Sequence, residues 1–193
     1  MKNFFLIILS INLVLIIGCS TESNYEEVIE KSNLSEDTEK IVRALDVHPF
    51  GIYDFSLKNE SSLHFNIDKY KDGDLIQNNG GKNDITFSAD DSGKILFSLD
   101  TDNEMLKIAL ISDNDISRSK FKVSLPDDYV GKHYIPLNDK KELSENDDHY
   151  IAGLILSQNG QISGELIDSE ESRQKLIDNN DNVYLLNFHI QSK

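Results

Sequence analysis

Tyr53-Asp54-Phe55-Ser56-Leu57 decides the fold class, because its apolar and polar residues alternate with a period of two. In an extended strand successive side chains point to opposite faces, so this stretch buries one face and exposes the other. The same alternation recurs in five further apolar triplets: Leu63/Phe65/Ile67, Ile85/Phe87/Ala89, Ile95/Phe97/Leu99, Leu106/Ile108/Leu110 and Phe121/Val123/Leu125. The pattern predicts a series of half-buried antiparallel strands.

Turn-forming residues separate these strands. Asp72-Gly73 and Asn79-Gly80-Gly81 predict tight turns, and Asp90-Asp91-Ser92-Gly93 predicts a hairpin between its flanking strands. Farther along, Ser157-Gln158-Asn159-Gly160 predicts a hairpin between strands at 150–156 and 162–167, because Asn-Gly suits a type I′ turn.

The C-terminal part predicts a central strand and a helix. Residues 150–156 are apolar on both faces, which indicates a strand in the middle of a sheet. Residues 169–177 predict a short helix, 178–182 a loop and 183–190 a final strand. About ten short strands with little helix indicate an all-β domain over residues 47–193, folded as an antiparallel β-sandwich or barrel.

The N-terminus is predicted to be an export signal. A positive start is followed by an apolar stretch from Phe4 to Ile17, which is shorter than a membrane-spanning helix and typical of a signal peptide. Ile16-Ile17-Gly18-Cys19 resembles the lipobox of bacterial lipoproteins. The resemblance implies that residues 1–18 are removed and that Cys19 is diacylated. It covers only this signal, and no family is recognised for the domain behind it.

Residues 19–46 are expected to form an acidic tether between the lipidated Cys19 and the domain. They are rich in Glu, Ser and Asn, a composition that seldom buries enough apolar surface to fold, although Asn33 or Ser35 could cap a short helix here. Cys19 is the only cysteine, so an internal disulfide is excluded and a lipid role accounts for the lone thiol.

The charge excludes several partners. The whole chain has a formal net charge of −15, and removing Lys2 with the signal leaves 18 Lys and Arg residues against 34 Asp and Glu residues, a net charge of −16. Such an excess argues against nucleic acid, whose binding depends on cations that neutralise phosphates. It also argues against adhesion to anionic lipid headgroups by charge alone.

The sequence contains no recognisable catalytic motif. The chain lacks a Gly-x-Ser-x-Gly elbow, a His-Glu-x-x-His helix, a phosphate-binding loop and a Cys-x-x-Cys pair. The histidines are scattered along the chain, and the two His-Tyr dipeptides, at His133 and His149, are interpreted as strand composition and not as a metal pair.

Calcium and sugars are the two candidate ligands that the acidic loops and the tyrosines suggest. Oxygen-rich loops at 90–92, 100–104, 113–115 and 178–182 have the donor type that calcium prefers, and Asp100, Asp102 and Glu104 are the candidate ligands. No EF-hand is present because Met105 occupies the glycine position, so the preferred interpretation is turns without a bound metal. Of the tyrosines, Tyr70, Tyr129 and Tyr134 lie near predicted turns and are the candidates for a glycan platform.

These observations favour a lipid-anchored, extracytoplasmic β-sandwich without a cofactor, which binds another envelope or secreted protein and is not an enzyme. It is expected on the outer face of the plasma membrane, or in the outer membrane if the organism has one. A module that binds a small ligand, a glycan or calcium is the main alternative. A hydrolase without a recognisable motif is the third.

Overall fold

The computed structural model describes residues 27–36, 40, 49–100, 103–112, 116–145 and 147–192. They form eleven strands and one helix, and the strands make two antiparallel sheets that pack face to face as a β-sandwich. In the described residues the sheets do not close into a barrel.

Sheet A contains six strands in the order β7-β6-β5-β2-β1-β9. Their bounds are β1 Val28–Lys31, β2 Pro49–Ser56, β5 Ser92–Asp100, β6 Met105–Ser112, β7 Ile116–Lys122 and β9 Lys141–Glu142.

Sheet B contains five strands in the order β4-β3-β11-β10-β8. Their bounds are β3 Ser61–Lys71, β4 Asp74–Phe87, β8 Gly131–Pro136, β10 His149–Ser157 and β11 Asn182–Ser192, and the helix α1, Glu170–Asp178, precedes β11.

The core lies between the two sheets. Every predicted apolar triplet is buried there except Ala89, which lies beyond the end of β4 and is exposed. Tyr53, Phe65, Phe97 and Phe188 are the largest of the fully buried side chains, and the ring of Phe65 contacts those of Phe97 and Phe188. The period of two therefore predicted the inward faces correctly, because alternation along a strand assigns each side chain to a face.

Three predicted elements of the C-terminal part are confirmed. Residues 150–156 lie in β10, which is buried on both faces and flanked by β8 and β11. The helix and the last strand also form, with ends within two residues of the predicted ones. Ser169 caps the helix, since its Oγ accepts a hydrogen bond from the Ser172 amide at 3.1 Å.

Two predicted hairpins are wrong. Asp90-Asp91-Ser92-Gly93 connects β4 in sheet B to β5 in sheet A, so it crosses between the sheets and does not join paired neighbours. Ser157 ends β10 and Gln158-Asn159-Gly160 bends the chain, but residues 161–166 form no strand. Both edges of β10 are already paired, with β8 and β11, so no edge is left for a returning strand.

The predicted turn at Asn79-Gly80-Gly81 is also wrong, because these residues lie inside β4. The partner of β3 shifts from Asp84 to Gly80 between His64 and Asn66, which marks a bulge in β4. Glycine is common at such irregular positions because it has no Cβ to restrict the backbone.

β1 lies within the stretch that the sequence predicts to be a tether. Val28–Lys31 pairs with β2 and β9, and Ile29 is fully buried in the core. The four-residue run is too short to show a clear period, but tertiary pairing supplies its hydrogen bonds. The sandwich therefore begins before the predicted boundary at 47, while the predicted signal peptide, Cys19 and most of the predicted short helix lie outside the described residues.

Candidate functional site

The outer face of sheet B is divided between an apolar part and a polar part. Leu176 and Ile177 of α1 pack on the outward side chains of Ile155, Val183 and Leu185, and form a second apolar cluster on this side of the sheet. α1 thus covers the apolar part, and polar side chains of β3 and β11 occupy the remainder of the face.

Asp68 is at the centre of the polar part and is only 5% exposed. Its carboxylate accepts hydrogen bonds from Asn78 Nδ2 at 2.7 Å, from Asn187 Nδ2 at 2.8 Å and from the Tyr150 hydroxyl at 3.4 Å. Burial raises the pKa of Asp68, as does the nearby Asp148, while the hydrogen bonds from Tyr150 and Asn187 oppose that rise. All three donors are neutral, so this network holds the charge by hydrogen bonding alone.

Arg173 connects this network to the helix. Its guanidinium lies 4.3 Å from the centre of the Tyr150 ring and donates a hydrogen bond to the Ile167 carbonyl at 3.1 Å. Burial raises the pKa of Tyr150, and the nearby Asp68 raises it further, so the phenol remains a hydrogen-bond donor at neutral pH.

The structure brings together two histidines that lie far apart in the sequence. His64 on β3 and His189 on β11 are direct cross-strand partners, and their rings stack with centres 4.6 Å apart and planes inclined by 17°. Only knowledge of the β3–β11 pairing could have revealed this contact. His48 lies outside the described residues.

The two His-Tyr dipeptides do not share a site. His133 is exposed on β8, whereas His149 is 2% exposed at the start of β10, where its Nε2 lies 2.8 Å from the Ser144 carbonyl oxygen. Within the part of the chain that the structure describes, no three or more His, Cys, Asp or Glu side chains group as metal ligands.

The calcium candidates are engaged by their own turn. The Asp100 carboxylate accepts hydrogen bonds from the amide and side chain of Asn103 and pairs with Lys107 Nζ at 2.8 Å. These contacts, that of Lys107 first, lower the pKa of Asp100 to about 2. Glu104 Oε1 accepts from the Leu125 amide at 3.3 Å, and Asp102 lies outside the described residues.

The tyrosines proposed for a glycan platform do not lie together. Tyr129 and Tyr134 pack, partly buried, against the main core between the sheets, whereas Tyr70 packs against the second cluster under α1. Tyr53 and Tyr184 are core residues, as expected from their strand positions. Tyr150 lies on the outer face instead, because a register shift follows it in β10.

The outer face of sheet A differs from that of sheet B, because no described element covers it. Its outward residues on β5, β6 and β7 are mostly apolar or cationic, and we call this surface the β5–β7 face: Lys94, Leu96, Ser98, Asp100, Met105, Lys107, Ala109, Ile111, Ile116, Arg118, Lys120 and Lys122. Ile111 and Ile116 are direct cross-strand partners and are 40% and 54% exposed.

Charge on the β5–β7 face is opposite in sign to that of the whole protein. Lys107 lies directly opposite Lys120 on β7. Arg118 and Lys122 lie two residues before and after Lys120, on the same face of β7. Like charges in direct cross-strand register are destabilising, so this arrangement costs folding stability. Asp100 offsets part of that cost through its ion pair with Lys107.

The comparisons with known proteins identify a family. No curated protein and no solved structure matches the chain. Among the described residues no helix is long and apolar enough to cross a membrane. The family model of the YgaN domain matches residues 28–190, which start at the first residue of β1 and end within β11. The sequence patterns of the folded part had indicated no family. With this match, the chain belongs to the YgaN domain family.

Proposed function

We propose that this protein is a lipid-anchored, extracytoplasmic binding module that holds another envelope or secreted protein on the β5–β7 face. Diacylated Cys19 anchors it in the bacterial membrane, on the outer face of the plasma membrane or in the outer membrane where one exists. The role is binding and not catalysis.

The β5–β7 face is the observation that carries the proposal. Exposed Ile111 and Ile116 form an apolar patch where β6 ends and β7 begins, and Ala109 and Leu96 extend that patch onto β6 and β5. Interfaces combine a desolvated apolar centre with a polar rim, and Met and Arg are enriched in them. Arg118, Lys120 and Lys122 supply such a rim along the edge strand.

The cations of this face select the partner. On a chain of net charge −15, a local group of Lys107, Arg118, Lys120 and Lys122 attracts an acidic surface that the remainder of the molecule repels. Complementary potentials of this kind accelerate association and suppress wrong partners. The repulsion between Lys107 and Lys120 lowers stability, and an acidic partner would relieve it.

The position of β1 limits the distance from the anchor. Val28 follows Cys19 by only nine positions in the chain, which can span at most about 30 Å when fully extended. The sandwich is thus held near the membrane surface, and the 28-residue tether expected from the sequence is replaced by a much shorter one.

The anchor is tested by replacing its cysteine. We expect Cys19→Ser to abolish incorporation of labelled palmitate and to release the protein from membranes, because two acyl chains are needed for stable attachment. Equal labelling of Cys19→Ser and the wild-type protein would contradict the lipid anchor.

The interface is tested by site-specific photocrosslinking in intact cells. A crosslinking residue at Ile116 should capture one protein, whereas the same residue at Leu166, which is 51% exposed, serves as the matched control. The Ile116 product should disappear when Arg118 and Lys120 are both changed to Glu, and persist with Lys132→Glu on β8. Identical products at both positions, or a product insensitive to the double change, would contradict the interface.

A further inference from the structure

A cavity of about 330 Å³ lies at one open edge of the sandwich, between β4 of sheet B and β6 and β7 of sheet A. Its lining is contributed by β4, by the β4–β5 connection and by the adjoining ends of β6 and β7: Ile85, Thr86, Phe87, Ser88, Ala89, Asp90, Asp91, Ser92, Leu110, Ser112 and Ser117. Its volume is at the lower end of the range for small-ligand sites.

The cavity lies where serines occupy inward positions of β6 and β7, and two of them, Ser112 and Ser117, line it. Along β6 the inward side chains are Leu106, Ile108 and Leu110, and the next inward position is Ser112. Along β7 the inward residues are Ser117, which lies opposite Leu110, then Ser119, and then Phe121, which fills the core farther along the strand. The inward side chains at this corner are therefore polar and not apolar. Such departures from the expected pattern occur at functional sites.

The lining has two chemical parts. Ile85, Phe87 and Leu110 form an apolar floor, and each is at most 9% exposed. Ser88, Ser92, Ser112 and Ser117 line the cavity beside this floor. A ligand that fits must therefore present apolar carbon to the floor and hydrogen-bonding groups to the walls.

Two carboxylates at the rim set the charge of the ligand. Asp90 and Asp91 occupy the β4–β5 connection, whose backbone is fixed by the bonds from the Asp90 amide to the Lys58 carbonyl at 3.2 Å and from the Leu57 amide to the Asp91 carbonyl at 2.9 Å. Held there on a strongly acidic protein, they disfavour any anion.

We propose that this cavity binds a small, uncharged sugar. The C–H face of a pyranose contacts the apolar floor, its hydroxyls bond to the serines, and Asp90 accepts from a pair of neighbouring hydroxyls. This site is separate from the β5–β7 face, because Ser112 and Ser117 belong to the inward side of their strands. It does not depend on the proposed protein partner.

The sugar site is tested by saturation-transfer NMR on the full chain in a sugar-free detergent, with methyl glucoside and glucuronate as probes at equal millimolar concentrations. We expect transfer to methyl glucoside and at least a fivefold weaker transfer to glucuronate, which has a similar ring but a negative charge. Absent transfer to methyl glucoside, or equal transfer to both, would overturn the proposal.

Variants localise the binding. Ser117→Leu should fill the cavity and abolish transfer while leaving the melting temperature unchanged or higher, since an apolar side chain suits this inward position. Ser98→Leu on the outer face of β5 is the matched control and should bind as the wild type does. Transfer that persists in Ser117→Leu would place the sugar elsewhere and reject the site.

A second substitution covers the case in which Ser117→Leu misfolds. Asp90 has a φ of 57°, a conformation that Asn also tolerates, so Asp90→Asn keeps the turn while removing the charge. We expect it to raise transfer to glucuronate toward that of methyl glucoside. An unchanged ratio of the two signals would contradict the role of Asp90.

Discussion

Asn187 on β11 donates a hydrogen bond of 2.8 Å to the buried carboxylate of Asp68 on β3, although the two residues are 119 positions apart in the sequence. Asn66, the direct cross-strand partner of Asn187, donates in turn to the Asn187 side-chain carbonyl at 3.4 Å. The two strands are thus joined by side chains as well as by their backbone ladder. A buried charge held only by neutral donors makes stability depend on pH.

Asp68→Asn should change that pH dependence. Because the pKa of Asp68 is raised on folding, the folded wild-type protein binds a proton at Asp68 more tightly than the unfolded chain does. The resulting stabilisation of the folded state is complete below about pH 4 and is lost as the pH rises through the raised pKa. The variant has no titrating group there, so its free energy of unfolding relative to wild type should increase from about pH 4 to about pH 7. Urea unfolding across this range measures the difference. The exposed Asp139→Asn is the control, and parallel pH profiles for wild type and Asp68→Asn would contradict the assignment.

Removing β1 should destabilise the sandwich. A chain starting at residue 47 lacks the fully buried Ile29 and the Glu27 carboxylate, which accepts from the Lys58 and Asn59 amides. We expect it to unfold at a lower urea concentration than a chain starting at residue 20. Its free energy of unfolding should be lower by at least about 2 kcal/mol. Ile29→Ala in the longer chain should cost about 2–5 kcal/mol. Equal stability of the two chains would show that β1 is dispensable.

Lys120→Glu should stabilise the isolated protein while weakening partner binding. The substitution converts a repulsive cross-strand pair with Lys107 into an attractive one, which is worth about 0.2–1 kcal/mol. Urea unfolding at low ionic strength provides the measurement, and high salt should reduce the gain. Lys132→Glu on β8 is the control, since no described cation lies directly opposite it. A loss of stability in Lys120→Glu would show that the repulsion is absent.

Calcium should have no selective effect. The oxygens of Asp100 already accept from Asn103 and Lys107, so we expect calcium and magnesium at matched ionic strength to shift the melting temperature equally, by about one or two degrees. A real site at a hundredfold excess of ligand would add about 2.7 kcal/mol, which corresponds to several degrees. A calcium-selective rise of about five degrees that is lost when Asp100 and Asp102 are changed to Ala would establish a metal site.

The differences between prediction and structure follow a physical division. The inward faces of β2, β3, β5 and β6 and the helix capped by Ser169 were predictable because alternation and capping involve neighbours along the chain. The turn at Asp72-Gly73 was predictable for the same reason, since both residues adopt positive φ, of 50° and 91°.

The neighbours of each strand could not be predicted in this way. Turn residues at Asp90-Asp91 and Asn159-Gly160 indicate a change of direction, but not whether the next strand pairs, crosses to the other sheet or fails to form. β10 excludes a returning strand because β8 and β11 occupy both of its edges, and β8 was not predicted at all. The competition for a limited number of sheet edges is a property of the whole domain.

The sequence by itself determined that this is an all-β domain, which side chains face its core, and where a short helix begins. Only the tertiary structure decided that the domain is a sandwich, that Val28–Lys31 belongs to it, that His64 stacks on His189, and that a cavity lined in part by Ser112 and Ser117 lies at one edge. The reason is that a strand determines its own two faces through local geometry, whereas its partners and register depend on residues far away in the chain.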